Sequence, residues 1–461
     1  MSKRILIVGA GEVGLNTARL LSLFNSNYDV TVMDHDAERL DGLSEFCDVQ
    51  TYRGSATSPY DLEAINISEM DALFVVTDSD EVNITTCMIA KKIGNPSMQR
   101  FARIRNQELY DYIPPGFVRP EYMINPEAMC TERALDVIRH PQLVDFLPFE
   151  NGRVRMIGIK VTDQCRIAGK GLHEFTHNQN LTIAAIRSHL QDEWLIPFAD
   201  YQVEVGDVIY TVVDDQSEKE VYDLLFSETK IETAKVIISG INLISTMIIE
   251  NLLEEGHSVM VLDSDVKKTN AYEKENGHHR DLEVIRGNFS DHRFDAQQHI
   301  PTADLIIACS DDDEENLVSA LLAKRLGCTR IVVICNSHRY QSIIRELGFE
   351  VALSPRQLAA NHLVHLIHKG KFLATQNLST RDQIEVQEFQ VPQHHQPVYL
   401  RELKDQPLWP DQDTLIAAIL RGNQMLRPGG NQTLQPHDRV LVVARHECFE
   451  RLQSYFETDV E

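Results

Sequence analysis

Six residues near the start of the chain, Gly9-Ala10-Gly11-Glu12-Val13-Gly14, have the types and spacing to cradle a pyrophosphate. They follow the apolar run Ile5-Leu6-Ile7-Val8 and open a stretch of helical periodicity expected to reach about Phe24. Placement matters more than the glycines, because Gly-x-Gly-x-x-Gly away from a strand-to-helix junction is a weak signal. At such a junction Gly9 makes the tight turn, Gly11 lets a phosphate approach the backbone, and Gly14 lets the helix pack on the strand. The anion then rests on the helix N-terminus, where free N–H groups and the positive end of the dipole face it. Asp34 closes the next apolar run, Val30-Thr31-Val32-Met33, at 34 − 14 = 20 residues after the last glycine. A carboxylate there accepts hydrogen bonds from ribose hydroxyls and repels a ribose phosphate, which favours NAD or an adenine nucleotide over NADP. The competing reading is an aspartate that caps the following loop together with Asp36.

Three further places fall at the carboxyl ends of strand-like runs, where open α/β sheets bind ligands. Gly54-Ser55 follows residues 49–52, Thr77-Asp78 follows Val75-Val76, and Arg103 lies within 101–105. Arg103 is the most informative, since a guanidinium there could fork onto a phosphate or a carboxylate. Its alternative is a surface ion pair.

These residues need a parallel sheet to position them, and the chain carries the pattern twice. Thr77-Asp78-Ser79-Asp80-Glu81-Val82-Asn83 recurs as Ser310-Asp311-Asp312-Asp313-Glu314-Glu315-Asn316, with 310 − 77 = 233. At the same offset Ala90-Lys91-Lys92-Ile93-Gly94 returns as Ala323-Lys324-Arg325-Leu326-Gly327, and Arg53-Gly54-Ser55 as Arg286-Gly287-Asn288. Ile183-Ala184-Ala185-Ile186 is echoed by Ile416-Ala417-Ala418-Ile419. The duplicated unit is a whole domain pair and not a solenoid repeat. Short β-branched runs alternating with helical stretches predict βαβ units on a parallel sheet. After each such region comes a smaller α+β module, preceded in the first half by a helix over Pro126–Arg139 with Asn125 as its N-cap and Pro126 at its first position. The expected division is 1–125 and 126–229, then 230–353 and 354–461.

In the second half the glycine motif reads Gly240-Ile241-Asn242-Leu243-Ile244-Ser245, with Asp263 still closing the following strand. Asn242 and Ser245 replace two glycines, and Val333 aligns with Arg103. A Cβ at the point of closest approach crowds a pyrophosphate. The second site is therefore expected to bind weakly, differently or not at all.

The 461 residues have an ordinary soluble balance of 43% hydrophobic and 25% charged. No apolar run approaches the roughly 18 residues of a membrane span, and no signal-peptide pattern opens the chain, so a cytoplasmic address is expected. A net charge of −25 excludes a nucleic-acid partner and direct membrane adsorption, since phosphates and the inner leaflet are themselves negative. The eight cysteines, at 47, 87, 130, 165, 309, 328, 335 and 448, lack the close pairing of metal or redox motifs and read as buried or incidental thiols.

The order of motifs, Gly-x-Gly-x-x-Gly with Asp34, Arg53-Gly54-Ser55, the Thr77 to Asn83 segment, Ala102-Arg103-Ile104-Arg105 and Ile124-Asn125-Pro126-Glu127, resembles the RCK domain family (regulators of potassium conductance). Its nucleotide-binding part is called TrkA-N and its small module TrkA-C, and the likeness covers nearly the whole chain. The resemblance implies two Rossmann-type doubly wound domains, each followed by a small module, in a homo-oligomer, dimer or tetramer, beneath a membrane potassium-translocating subunit of the TrkH type. It implies NAD(H) or ATP/ADP as ligand, at the positions here of Gly9 to Val13, Asp34, Thr77-Asp78 and Arg103. It also implies a regulator and no catalysis. The rival is an NAD-dependent oxidoreductase, whose proton donor would have to come from His173, His177 or His394-His395; these stand in polar surroundings without a carboxylate at a telling spacing. Metal binding by His278-His279 or His394-His395 is as weak, because adjacent side chains seldom point at one ion. A third reading is the gating ring of another channel or antiporter.

Overall fold

The computed structural model describes residues 2–22, 28–44, 47–106, 109, 112, 122–140, 142–149, 153–175, 181–191, 193–198, 200–214, 216–226, 233–289, 296–349, 351–367, 372–379, 384–392, 402–403, 413–422 and 424–457. The chain falls into two compact units, Met1–Ile138 with Ile231–Ile367 and Arg139–Lys230 with His368–Glu461. The alternating order in sequence thus becomes two parallel-sheet halves in one unit and two small modules in the other.

In the first unit each half holds a six-stranded sheet whose neighbours are all parallel. The first runs β3-β2-β1-β4-β5-β6, built from β1 (Lys3–Val8), β2 (Tyr28–Asp34), β3 (Gln50–Arg53), β4 (Ala72–Val75), β5 (Gln99–Arg103) and β6 (Tyr122–Ile124). Helices α1 (Glu12–Ser22), α2 (Ala37–Ser44), α3 (Pro59–Ala64) and α4 (Asp80–Ile93) connect the strands; the expected end of α1 near Phe24 lies outside the described residues. Ile5 to Val8 are buried without alternation, as required of a strand covered on both faces. Ser79 caps α4 by accepting from Val82 N, with Asp80 and Glu81 in the first turn and Lys91 and Lys92 in the last, matching the dipole.

The other half repeats the order as β14-β13-β12-β15-β16-β17, with β12 (Lys235–Ser239), β13 (Ser258–Asp263), β14 (Leu282–Arg286), β15 (Leu305–Ala308), β16 (Ile331–Ile334) and β17 (Val351–Leu353). β6 and β17 were not read from the sequence; three residues are too few to show a period.

The helix after each sheet packs on the opposite half. The first linker helix (Pro126–Arg139) has its expected cap, with Asn125 Oδ1 accepting from Ala128 N at 3.0 Å. It buries Cys130, Ala134, Leu135 and Ile138 in the same cluster as Val236, Ile238, Ile244 and Ile248 of the second half. The second linker helix (Pro355–Ile367) buries Ala359, Leu363, Val364, Leu366 and Ile367 against Ile5, Val13, Ala18 and Leu21 of the first. Each fully buried aliphatic side chain contributes roughly 1.5–3 kcal/mol, so neither half has a complete core without the other.

In the second unit the small modules are five-stranded antiparallel sheets. Their orders are β10-β9-β11-β8-β7, with β7 (Leu143–Phe149), β8 (Val154–Lys160), β9 (Ile183–Arg187), β10 (Trp194–Leu195) and β11 (Val208–Asp214), and β18-β19-β22-β20-β21, with β18 (Phe372–Ser379), β19 (Ile384–Gln390), β20 (Thr414–Arg421), β21 (Gln424–Leu426) and β22 (Arg439–Arg445). Alternate residues of β11 serve different cores. Tyr210 and Val212 join one shared with Ile384, Val386 and Leu441, while Ile209 and Val213 face Val221 and Leu225 of their own module.

Candidate nucleotide site

The strand order of the first sheet reverses between β1 and β4, so the loops that leave these strands part and open a crevice. A cavity of about 300 Å³ occupies it. Its floor is the glycine turn and the start of α1, from Ala10 through Val13 with Leu15; Val76, Asp78 and Arg103 come from the β4 and β5 side, Arg39 from α2 and Arg356 from the second linker helix.

The three glycines meet three different constraints. Gly9 has φ +107°, and a Cβ there would lie 3.1 Å from the carbonyl carbon of Val76. A Cβ on Gly14 would stand 1.9 Å from Gly9 O, so the helix packs this closely only without one. A Cβ on Gly11 would meet nothing within 4 Å. The fold therefore leaves Gly11 open above the turn, the place where a phosphate would approach the backbone.

Asp34 is buried, and its oxygens hold backbone: Oδ2 accepts from Ala10 N at 2.6 Å and Oδ1 from Asp36 N at 2.9 Å. The carboxylate thus pins the glycine turn and caps the loop after β2; His35 Nδ1 also lies 3.0 Å from Oδ1, and Asp34 is not among the residues that line the cavity. Gly54 and Ser55 stand behind the cavity wall, Gly54 N donating to Asp34 O at 2.9 Å and Ser55 N to Asp61 Oδ2 at 2.8 Å. Thr77 is held by Asn83, whose Oδ1 accepts from Thr77 N at 3.1 Å while its Nδ2 donates to Thr77 O and to Arg103 O.

That contact explains why the Thr77 to Asn83 segment recurs. Asn316 makes the same brace, donating to Ser310 O at 2.8 Å and Ile334 O at 2.9 Å, so Ile334 and not Val333 takes the place of Arg103, and Val333 that of Ala102. Asp80 and Asp313 both accept backbone N–H groups just past the neighbouring strand, from Arg105 and Asn106 in one half and Asn336 and Ser337 in the other. Most of this motif is scaffold; Asp78 faces the cavity.

Arg103 is buried and doubly engaged. Its NH1 donates to Asp78 Oδ1 at 2.9 Å and its NH2 to Glu127 Oε1 at 2.7 Å, while its Nε and Glu127 Oε2 are without hydrogen-bond partners. The Asp78 side chain is 77% exposed and that of Glu127 14%, so the two bonds differ in how readily they exchange. A phosphate reaching Arg103 would displace Asp78 before Glu127.

In the second half the matching turn is tied up by its own side chains. Asn242 stands where Gly11 does, and its Oδ1 accepts from Ile244 N and Ser245 N at 3.1 Å each. The Ser245 hydroxyl returns the bond to complete a capping box. Asn242 Nδ2 reaches Cys309 O at 2.7 Å and Asp311 Oδ1 at 3.2 Å, and Lys268 Nζ bridges to Asp311 Oδ2 at 2.9 Å, a contact that raises the lysine pKa. Asp263 keeps the role of its counterpart toward the turn, accepting from Ile241 N at 2.8 Å. The N–H groups that a phosphate would use are taken.

Among the described residues no cluster of histidine, cysteine, aspartate or glutamate could hold a metal, and no helix is long and apolar enough to cross a membrane. All eight cysteines are free. His278 and His279 lie with ring centroids 4.4 Å apart and tilted by 34° on the exposed loop before β14. His173 is on the first small module, and His177, His394 and His395 lie outside the described residues. The sequence reading missed Arg39 and Arg356. Arg39 lies five residues past Asp34 and was within reach of the motif; no local pattern marks Arg356.

Comparison with known proteins finds relatives along nearly the whole chain. The TrkA-N domain family matches residues 5–115 and 236–355, and the TrkA-C domain family 387–457. The Trk system potassium uptake protein TrkA homolog of Archaeoglobus fulgidus is 28% identical over 98% of this chain and 100% of that protein. TrkA of Haemophilus influenzae is 27% identical over 95% of each chain. Among solved structures the GsuK channel superposes with a TM-score of 0.63 at 16% identity, covering 99% of this chain and 79% of that one, and the GsuK channel bound to NAD gives the same score over 98% and 79%. With the two TrkA-N matches alone spanning half of its length, and relatives named TrkA aligned from end to end, the chain belongs to the TrkA family of Trk-system potassium uptake proteins.

Proposed function

We propose that the first parallel-sheet half binds NAD(H) or ATP/ADP, and that the chain is a regulatory subunit gating a TrkH-type potassium-translocating partner. The observation that carries this reading is the open space over Gly11 at the start of α1, inside a cavity with three arginines. A regulator needs a group that one ligand engages and another does not, since a ligand shifts an equilibrium only by its differential affinity for two states. Arg103 is that group: a triphosphate long enough to reach it competes with exposed Asp78, and Glu127 carries the change to the start of the first linker helix. The chain is read as a sensor and not an enzyme because the relatives that align with it over nearly their whole length are named as potassium uptake proteins. The acidic chain would work in the cytoplasm, at the inner face of the membrane, through its protein partner and as a homo-oligomer.

The test is calorimetry with ATP, ADP, NAD⁺ and NADH, beside potassium flux in vesicles containing the partner. One site per chain is expected, because Asn242, Lys268 and Asp311 tie up the matching turn of the second half. Two matched sites, or flux indifferent to every nucleotide, would refute the reading.

A further inference from the structure

Among the described residues, Arg356 is a cation in the cavity wall left without a partner. Arg103 is held by Asp78 and Glu127, and Arg39 lies 3.6 Å from Asp36; Arg356 makes no hydrogen bond or ion pair among the described residues. It is also foreign to the half it faces. It sits in the first turn of the second linker helix, one residue after Pro355, more than a domain away in sequence from the glycine turn. We propose that Arg356 is a phosphate ligand which the second half supplies to the nucleotide site of the first, and this rests on the nucleotide reading above.

Three observations converge on it. The helix that carries Arg356 is locked to α1, with Leu363, Val364 and Ile367 in one cluster with Val13, Ala18 and Leu21, so the guanidinium projects from a fixed base. The first turns of both helices line the same cavity, Glu12 and Val13 from one and Arg356 from the other. Finally, the charge is specific to this crossing. The equivalent position of the first linker helix, one residue after Pro126, is Glu127, an anion already bound to Arg103. The crossing helix that meets the open crevice carries the cation. The guanidinium is partly exposed and makes no ion pair among the described residues, so it is free to take an anion, and its planar fork suits phosphate oxygens. The second half, whose own turn is tied up, thus completes the first, and a bound nucleoside polyphosphate bridges the two.

The experiment is calorimetry on the full chain with ATP, ADP, NAD⁺ and adenosine, comparing wild type with Arg356→Gln, Arg356→Lys and Arg356→Glu. Attraction to a phosphate chain grows with its charge, so Arg356→Gln should weaken ATP by roughly ten- to a hundredfold, ADP less, NAD⁺ least, and leave adenosine unchanged. Arg356→Lys should recover part of the ATP affinity, and Arg356→Glu should bind it more weakly than the glutamine variant. An equal loss for all four ligands would mark Arg356 as a packing residue and overturn the proposal. So would an unchanged ATP affinity in Arg356→Gln when Gly11→Asn abolishes binding, a result that leaves the nucleotide reading standing; absence of nucleotide binding by wild type would remove both.

Discussion

Gly11→Asn transplants the plug of the second half into the first, and the structure fixes the sign of two separate effects. In the second half Asn242 Oδ1 takes Ile244 N and Ser245 N at 3.1 Å each; the corresponding groups in the first half are Val13 N and Gly14 N, at the same offset, 242 − 11 = 231. The new side chain has room, since nothing lies within 4 Å of where its Cβ would be. As an N-cap, asparagine improves on glycine by a few tenths of a kcal/mol, so thermal stability should hold or rise slightly. Binding should collapse. A phosphate on this turn would lose two hydrogen bonds to a charged group, at about 1.5–3 kcal/mol each, so that the loss is about 3–6 kcal/mol, or roughly a hundredfold to ten-thousandfold in Kd. Gly14→Ala is the opposite control: its Cβ would press on Gly9 O at 1.9 Å, so it should unfold the turn and lower the melting temperature. Calorimetry with ATP and a thermal melt on each variant decide the matter. A folded Gly11→Asn protein with wild-type nucleotide affinity would refute the argument that the space over Gly11 is reserved for a ligand.

Arg103→Ala should destabilise the protein by about 3 kcal/mol in urea titration, because it leaves the mostly buried Glu127 without its counter-charge; Arg103→Ala with Glu127→Ala should recover at least about 1 kcal/mol of that, and strictly additive losses would show that the pair is not coupled. In the second unit, burial raises the Glu388 carboxyl from the ordinary 4.5 to about 7, with neither oxygen hydrogen-bonded and Arg439 NH1 3.4 Å away. The folded state therefore holds a proton that the unfolded state has released between about pH 4.5 and 7, and stability falls as pH rises through that window, by on the order of 2–3 kcal/mol. Glu388→Gln should remove this slope and melt higher than wild type at pH 8; parallel pH profiles for the two proteins would contradict it.

The parallel sheets were legible because strands buried on both faces must be written as unbroken apolar runs, and Ile5 to Val8 and Val236 to Ile238 are such runs. The glycine turn was legible because Gly9 and Gly14 each answer a local backbone constraint that leaves a local spacing. The repeat was visible for a related reason, since Asn83 and Asn316 each brace one strand end six residues back and another 20 or 18 residues on. What the sequence withheld is everything that depends on the linker helices crossing. Their apolar faces look alike whichever half they cover, and Pro126–Arg139 reads as a connector in either case. Arg356 has the bland environment of any first-turn arginine until the fold brings it to residues 10–15. Arg103 was read for its position and charge, but its partner Glu127 comes from the linker helix beyond β6 and Asp78 from the loop after β4, and only a structure shows both carboxylates already in place.

The exchange of helices also bears on how the protein is made. Lys3 donates to Ile367 O, 364 residues further along the chain, and the helix ending there supplies part of the wall on which α1 rests. Synthesis at about 5–20 residues per second separates the two by roughly 20–70 s. During that interval the apolar face of α1 that the later helix covers is already translated. It must either wait, shielded by a chaperone, or take the equivalent helix of another nascent chain, so neighbouring ribosomes on one message are a natural source of entangled dimers. Slowing translation between the two halves should lengthen the exposure, and the fraction of chains recovered on a holdase should rise with it.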